Sequence, residues 1–200
     1  MKVFFDTRYT GPHKNATLIS IGLIDEAGRS FYGEFSDYYE EMCDVLTEIT
    51  TIKNLKFRNF TEMTFLDRST SNWEVYGPIE YIKFALQNWF SAYSCVELVS
   101  DKCYYNVILF FDIFGHPWDI PISIGVPICH DINQDIARYF GRDDREVSSF
   151  SRNDIIEAFN IKMREHWPES CIEVRCDNEN SSLYSAMMIR EIYSIVNYLR

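Results

Sequence analysis

Two aspartates stand at the ends of apolar runs, where a carboxylate can leave a sheet and face a ligand: Asp6 closes Val3-Phe4-Phe5, and Asp101 closes Val99-Ser100. A hydrophobic strand ending in Asp-x-Glu projects two carboxylates from one strand end. Such a pair can share divalent cations and orient a water toward phosphorus. In this chain the second position is Arg8, so a fixed positive charge stands where the second acid would be. At about 4 Å and an effective dielectric near 20, that charge repels a cation by about 4 kcal/mol per unit of ionic charge.

Other reactive residue types are scattered. His13, His116, His130 and His166 form no ligand spacing, and Cys129-His130-Asp131 lacks the second pair that a zinc site needs. That triplet reads as a buried cysteine beside a helix cap. Trp73, Trp89, Trp118 and Trp167 could stack bases, but core packing is the commoner fate of such rings. Phe57-Arg58-Asn59-Phe60 offers a small basic and aromatic surface.

Lys2 to Asp6 and Thr17 to Asp25 read as strands, Glu26 to Arg29 as a turn and Ser30 to Phe35 as a third strand, together an antiparallel meander. From Asp37 to about Asn72 the pattern weakens into short helical and irregular pieces. Ile79 to Trp89 has the spacing of an amphipathic helix, Cys95 to Val99 that of a strand leading into Ser100-Asp101, and Tyr105 to Phe114 a buried helix. Asp131 to Phe140 has a capping acid in front and Gly141 behind, Ser151 and Asp154 form a capping box ahead of Ile155 to Trp167, and Ser182 to Leu199 closes the chain. Strands and helices in this order predict an α/β fold, a mixed sheet flanked by helices, with both aspartates at strand C-terminal ends.

The chain has 200 residues, 46% of them hydrophobic, which suits one domain spanning 1–200. A net charge of -11 opposes non-specific attachment to nucleic acid or an anionic membrane and favours a protein partner with a basic surface. Six cysteines without paired spacing, Cys43, Cys95, Cys103, Cys129, Cys171 and Cys176, fit reduced thiols in the cytoplasm. The longest apolar runs, such as Val107 to Phe111, are too short to span a bilayer, and no leader pattern precedes them.

The run Phe4-Phe5-Asp6-Thr7-x-Tyr9-Thr10-Gly11, the strand Leu18 to Asp25, Val99-Ser100-Asp101 and the closing Leu183-Tyr184-x-Ala186 together resemble the small 3′-to-5′ exoribonuclease-like proteins of the DEDDh group, within the ribonuclease H-like superfold. The resemblance runs in order along nearly the entire chain. It implies a ribonuclease H-like mixed β-sheet, antiparallel meander plus parallel strands, and a homodimer. It also implies Asp-x-Glu on the first strand, an Asp on the fourth, and a His and an Asp five residues apart at the last helix.

The aligned positions here are Asp6, Arg8, Asp101, Asn180 and Ser185. Asn180 cannot take a proton at neutral pH as histidine does, and Ser185 offers a metal only a neutral hydroxyl. The expectation is a degenerate site with no catalytic set, in which Asp6 and Asp101 are vestigial metal ligands and no cofactor is required. Arg8 is expected to pair with both aspartates in place of the cations. The chain would then bind a macromolecular partner, either a protein or the 3′ end of single-stranded RNA or DNA. The alternative is a surviving exoribonuclease that uses Mg²⁺ or Mn²⁺ and substitute acids such as Asp177 and Glu179, with Asn106 or Asp112 near the second motif.

Overall fold

A computed structural model describes residues 1–59, 64–66, 72–125, 129–148, 150–166, 174 and 181–198. Its strands are β1 (Lys2–Tyr9), β2 (Leu18–Asp25), β3 (Ser30–Phe35), β4 (Thr64–Leu66), β5 (Asn72–Gly77), β6 (Glu97–Ser100) and β7 (Cys129–Asp131). Its helices are α1 (Val45–Thr50), α2 (Ile79–Phe90), α3 (Cys103–Asp112), α4 (Ile132–Phe140), α5 (Asp144–Val147), α6 (Arg152–His166) and α7 (Ser182–Tyr198).

The described strands form one mixed sheet in the order β4-β5-β3-β2-β1-β6-β7. β1, β2 and β3 are the antiparallel meander, while β6 joins β1, β7 joins β6 and β5 joins β3 in parallel. The parallel pairings require helical crossovers, and two layers of helix cover the sheet. On one face Val3, Phe5, Leu23 and Phe31 pack against Trp89 and Phe90 of α2 and Phe110 of α3. On the other, Phe4, Ile24 and Val99 meet Ile136 of α4, Phe159 of α6 and Ile189 and Ile192 of α7.

This layering decides where the β1 side chains go. Side chains alternate along a strand, so Asp6 and Arg8 share the Phe4 face, toward α6 and α7, and Thr7 faces α3. Contact on the Phe4 face is close. A Cβ on Gly22 would fall 2.2 Å from the backbone nitrogen of Leu183 and 2.4 Å from the carbonyl carbon of Ser182, so α7 lies directly on β2. The absent side chain is what admits it.

Several expectations shift. β1 runs on to Tyr9, with an irregularity between Arg8 and Tyr9, so Asp6 lies inside the strand and not at its end. α3 starts two residues earlier than its apolar run implied, and Ile113 and Phe114 pack in the turn after it. β4, β5 and β7 are additions; β4 and β7 have three residues each, too few to show a period. Phe57 is fully buried, so the basic and aromatic surface placed at 57–60 does not form around it; Phe60 lies outside the described residues. Trp89 is core, whereas Trp118 is 89% exposed; Trp167 lies outside the described residues. Among the described residues no helix is long and apolar enough to cross a membrane.

Candidate functional site

Asp6 is buried at the centre of the sheet. Asn106, from the first turns of α3, donates one amide hydrogen to Asp6 Oδ1 at 3.0 Å and the other to Ser100 Oγ at 2.7 Å, while its carbonyl accepts from Thr7 Oγ1 at 2.7 Å. That network uses both amide hydrogens and the carbonyl of Asn106 and holds β1, β6 and α3 in register around one carboxylate, whose other oxygen, Oδ2, is buried without a hydrogen bond and faces Arg8.

The cation nearest both aspartates belongs to α6. Arg152 Nη2 lies 3.3 Å from Asp6 Oδ1 and 2.6 Å from the Asp101 carboxylate. Arg8 contributes a second guanidinium, with Nη1 3.4 Å from Asp6 Oδ2 and Nη2 donating to Ser185 Oγ at 2.8 Å. Arg152 Nη1 lies 3.4 Å from the same hydroxyl. Two aspartates and two arginines therefore make one neutral cluster across β1, β6, α6 and α7.

The expected pairing of Arg8 with both acids is corrected: Arg8 takes Asp6, and Arg152 bridges Asp6 to Asp101. The alternation along β1 accounts for this, because Arg8 extends from the strand toward Ser185 on α7. Arg152 is the first residue of its helix, and local sequence around it carries no sign of the role. The capping box flags the helix start, with Ser151 Oγ accepting from the Asp154 amide at 3.1 Å and Asp154 Oδ2 accepting from the Ser151 amide at 3.2 Å.

Electrostatics follow from burial and these contacts. Desolvation pushes the Asp6 carboxyl up, but Arg152, Arg8 and the Asn106 hydrogen bond outweigh it and hold the group below the usual carboxylate range. Burial alone would lower the Arg152 value; the two aspartates reverse that and keep the guanidinium charged. Asp131 is raised by desolvation and by the neighbouring charge of Asp101.

This donor set does not suit a divalent cation. Mg²⁺ or Mn²⁺ would need several anionic oxygens free to face it, and both carboxylates here are spent on guanidinium groups. Among the described residues no group of three or more His, Cys, Asp or Glu side chains could hold a metal ion. Asn180, Asp177 and Glu179 lie outside the described residues. Asp112 stands at the end of α3, away from the cluster's hydrogen bonds.

The Cys129-His130-Asp131 triplet resolves into three separate roles. Cys129 is half-buried, with its sulfur 3.2 Å from Cys103 Sγ; His130 Nε2 pairs with Asp135; and Asp131 caps α4 by accepting from the Asn133 amide at 3.0 Å.

No family model matches the chain, and no curated protein matches it either.

Proposed function

We propose that this chain is a catalytically degenerate, ribonuclease H-like exonuclease scaffold that works by binding a macromolecular partner. The observation that carries the reading is the Arg152 guanidinium lying between Asp6 and Asp101, the two positions the resemblance assigns to metal ligands. The cluster supplies its own positive charge, so both acids keep a reason to be there without a cation. The antiparallel meander with parallel strands added on the β1 side supports the fold half of the reading.

With Asp6 and Asp101 held by arginine and an asparagine at position 180 where the resemblance places the base, a scaffold of this kind lacks the groups that make hydroxide at neutral pH. Its remaining capacity is recognition, and a net charge of -11 directs that toward a protein with a basic surface. A homodimer belongs to the same reading and is tested by mass in solution.

The experiment is incubation of purified chain with end-labelled single-stranded RNA in Mg²⁺ or Mn²⁺. The expected result is intact RNA. A ladder of shortened products that disappears in Asp6→Ala would establish the exoribonuclease alternative. Intact RNA with salt-sensitive binding would move the partner from protein to nucleic acid.

A further inference from the structure

A second feature lies on the opposite side of β1 from the arginine cluster. Leu18, Phe35, Ile79 and Leu109 line a groove of about 230 Å³ together with Tyr38, Tyr39, Asp37 and Asp112. That volume lies below the about 300–1,000 Å³ of pockets for drug-sized ligands, so it fits one inserted side chain better than a whole nucleotide.

The chain that leaves the groove is strongly acidic. Residues 37–48 include Asp37, Glu40, Glu41, Asp44 and Glu48 and no basic residue. The field they create is felt locally: burial and then Glu40 push the Tyr38 phenol up to about 12, against Arg58, and the Cys43 thiol is raised by burial and then by Glu40 and Asp44. Asp37 is partly engaged, its Oδ2 accepting from the Ile79 amide at 3.0 Å. His13 also lies close, its ring nitrogen 3.3 Å from the Met42 carbonyl.

We infer that this groove takes an arginine side chain presented by a basic segment of a protein partner. The arginine stem has apolar surface to cover, and its planar head has a carboxylate to pair with, on Asp112 or Asp37, and tyrosine rings to lie on. Phosphate would meet the Asp37 and Asp112 carboxylates and the acidic run beside them, against which Arg58 near Tyr38 sets a single positive charge, and this disfavours a nucleic-acid occupant. A second copy of the chain would bring another -11 charges to an acidic surface, which disfavours self-association here. The inference rests on the reading of the chain as a non-cleaving binder and names its partner chemistry.

The test is an amide shift titration of the ¹⁵N-labelled full chain with a blocked alanine heptapeptide carrying three arginines. Two further probes are the same peptide with citrulline at those positions and a short oligo-uridine. The expected result is saturable shifts at Leu18, Tyr38, Leu109 and Asp112 with the arginine peptide, none with the citrulline peptide, and at least fivefold weaker binding in Asp112→Asn. Shifts spread evenly over remote acids such as Glu146 would overturn the inference. So would equal binding of the citrulline peptide, unchanged affinity in Asp112→Asn, or the same shifts from oligo-uridine. RNA cleavage would sink the underlying reading instead, so the two failures are distinguishable.

Discussion

Arg152 and Asp101 are joined at 2.6 Å, and through the same nitrogen Arg152 reaches Asp6 at 3.3 Å, so a residue at the start of α6 ties the end of β6 to β1. Removing one partner of such a pair leaves the other charge with nothing to offset its lost hydration. Arg152→Ala should therefore lower unfolding free energy by about 3 kcal/mol, read from urea denaturation. Adding Asp101→Asn should recover part of that loss. Two single effects that merely add would contradict the pairing.

The acid limb of stability should carry the signature of Asp6. Its folded carboxyl is depressed by Arg152 and Arg8 against the upward push of burial. A depressed carboxyl supplies stability that is complete above its unfolded value of about 3.9 and is lost as pH falls through the folded value. Asp6→Asn should therefore show a shallower loss between about pH 4 and pH 2 than the native chain. Equal slopes in the two proteins would contradict the linkage.

How much of this was legible in the sequence depends on range. The meander, the Asp131 and Gly141 caps around α4 and the Ser151 and Asp154 box rest on neighbours within a few residues, and all of these form. Asp6 and Asp101 could be singled out because each follows an apolar run. Arg152 could not, since it meets Asp6 across 146 positions and Asp101 across 51, and only the packing of α6 on the Phe4 face brings them together. β5 eluded the reading because it pairs in parallel with β3, through a partner 42 positions away in register.

Glu34 should be the most sensitive acid outside the arginine cluster. It is buried in β3, where its carboxylate accepts from the Lys56 amide at 2.6 Å, the Phe57 amide at 2.8 Å and the Tyr32 hydroxyl at 2.6 Å. An amide in its place can accept through one oxygen only, which strands at least one donor at about 1–3 kcal/mol. Glu34→Gln should lower stability by that amount and speed amide exchange at Lys56 and Phe57. Unchanged exchange there would refute the anchoring role.

Close approach of α7 to the sheet should make Gly22 intolerant of any side chain. A methyl group would fall within 2.4 Å of the Leu183 and Ser182 backbones, which have no flexible end to yield. Gly22→Ala should cost about 3 kcal/mol by thermal or urea unfolding, at the upper end of overpacking effects. A variant of native stability would show that α7 lies farther from β2.

The capping box should act on the cluster at a distance of one residue. Ser151→Ala removes the hydroxyl that receives the Asp154 amide and should cost about 1 kcal/mol. In the Arg152→Ala background the same change should cost less, because the helix start then has no charge bridge to hold. A double-mutant cycle with no coupling would contradict this link.

The most direct test of the arginine bridge is a Mn²⁺ titration of the native chain at neutral pH, followed by the electron paramagnetic resonance signal of free Mn²⁺. With Arg8 and Arg152 holding Asp6 and Asp101, the free-ion signal should rise in proportion to added Mn²⁺ through the low millimolar range. A saturable loss of signal that is abolished by Asp6→Ala would mean that the acids are open to metal, and would contradict the bridge as the resident charge of this cluster.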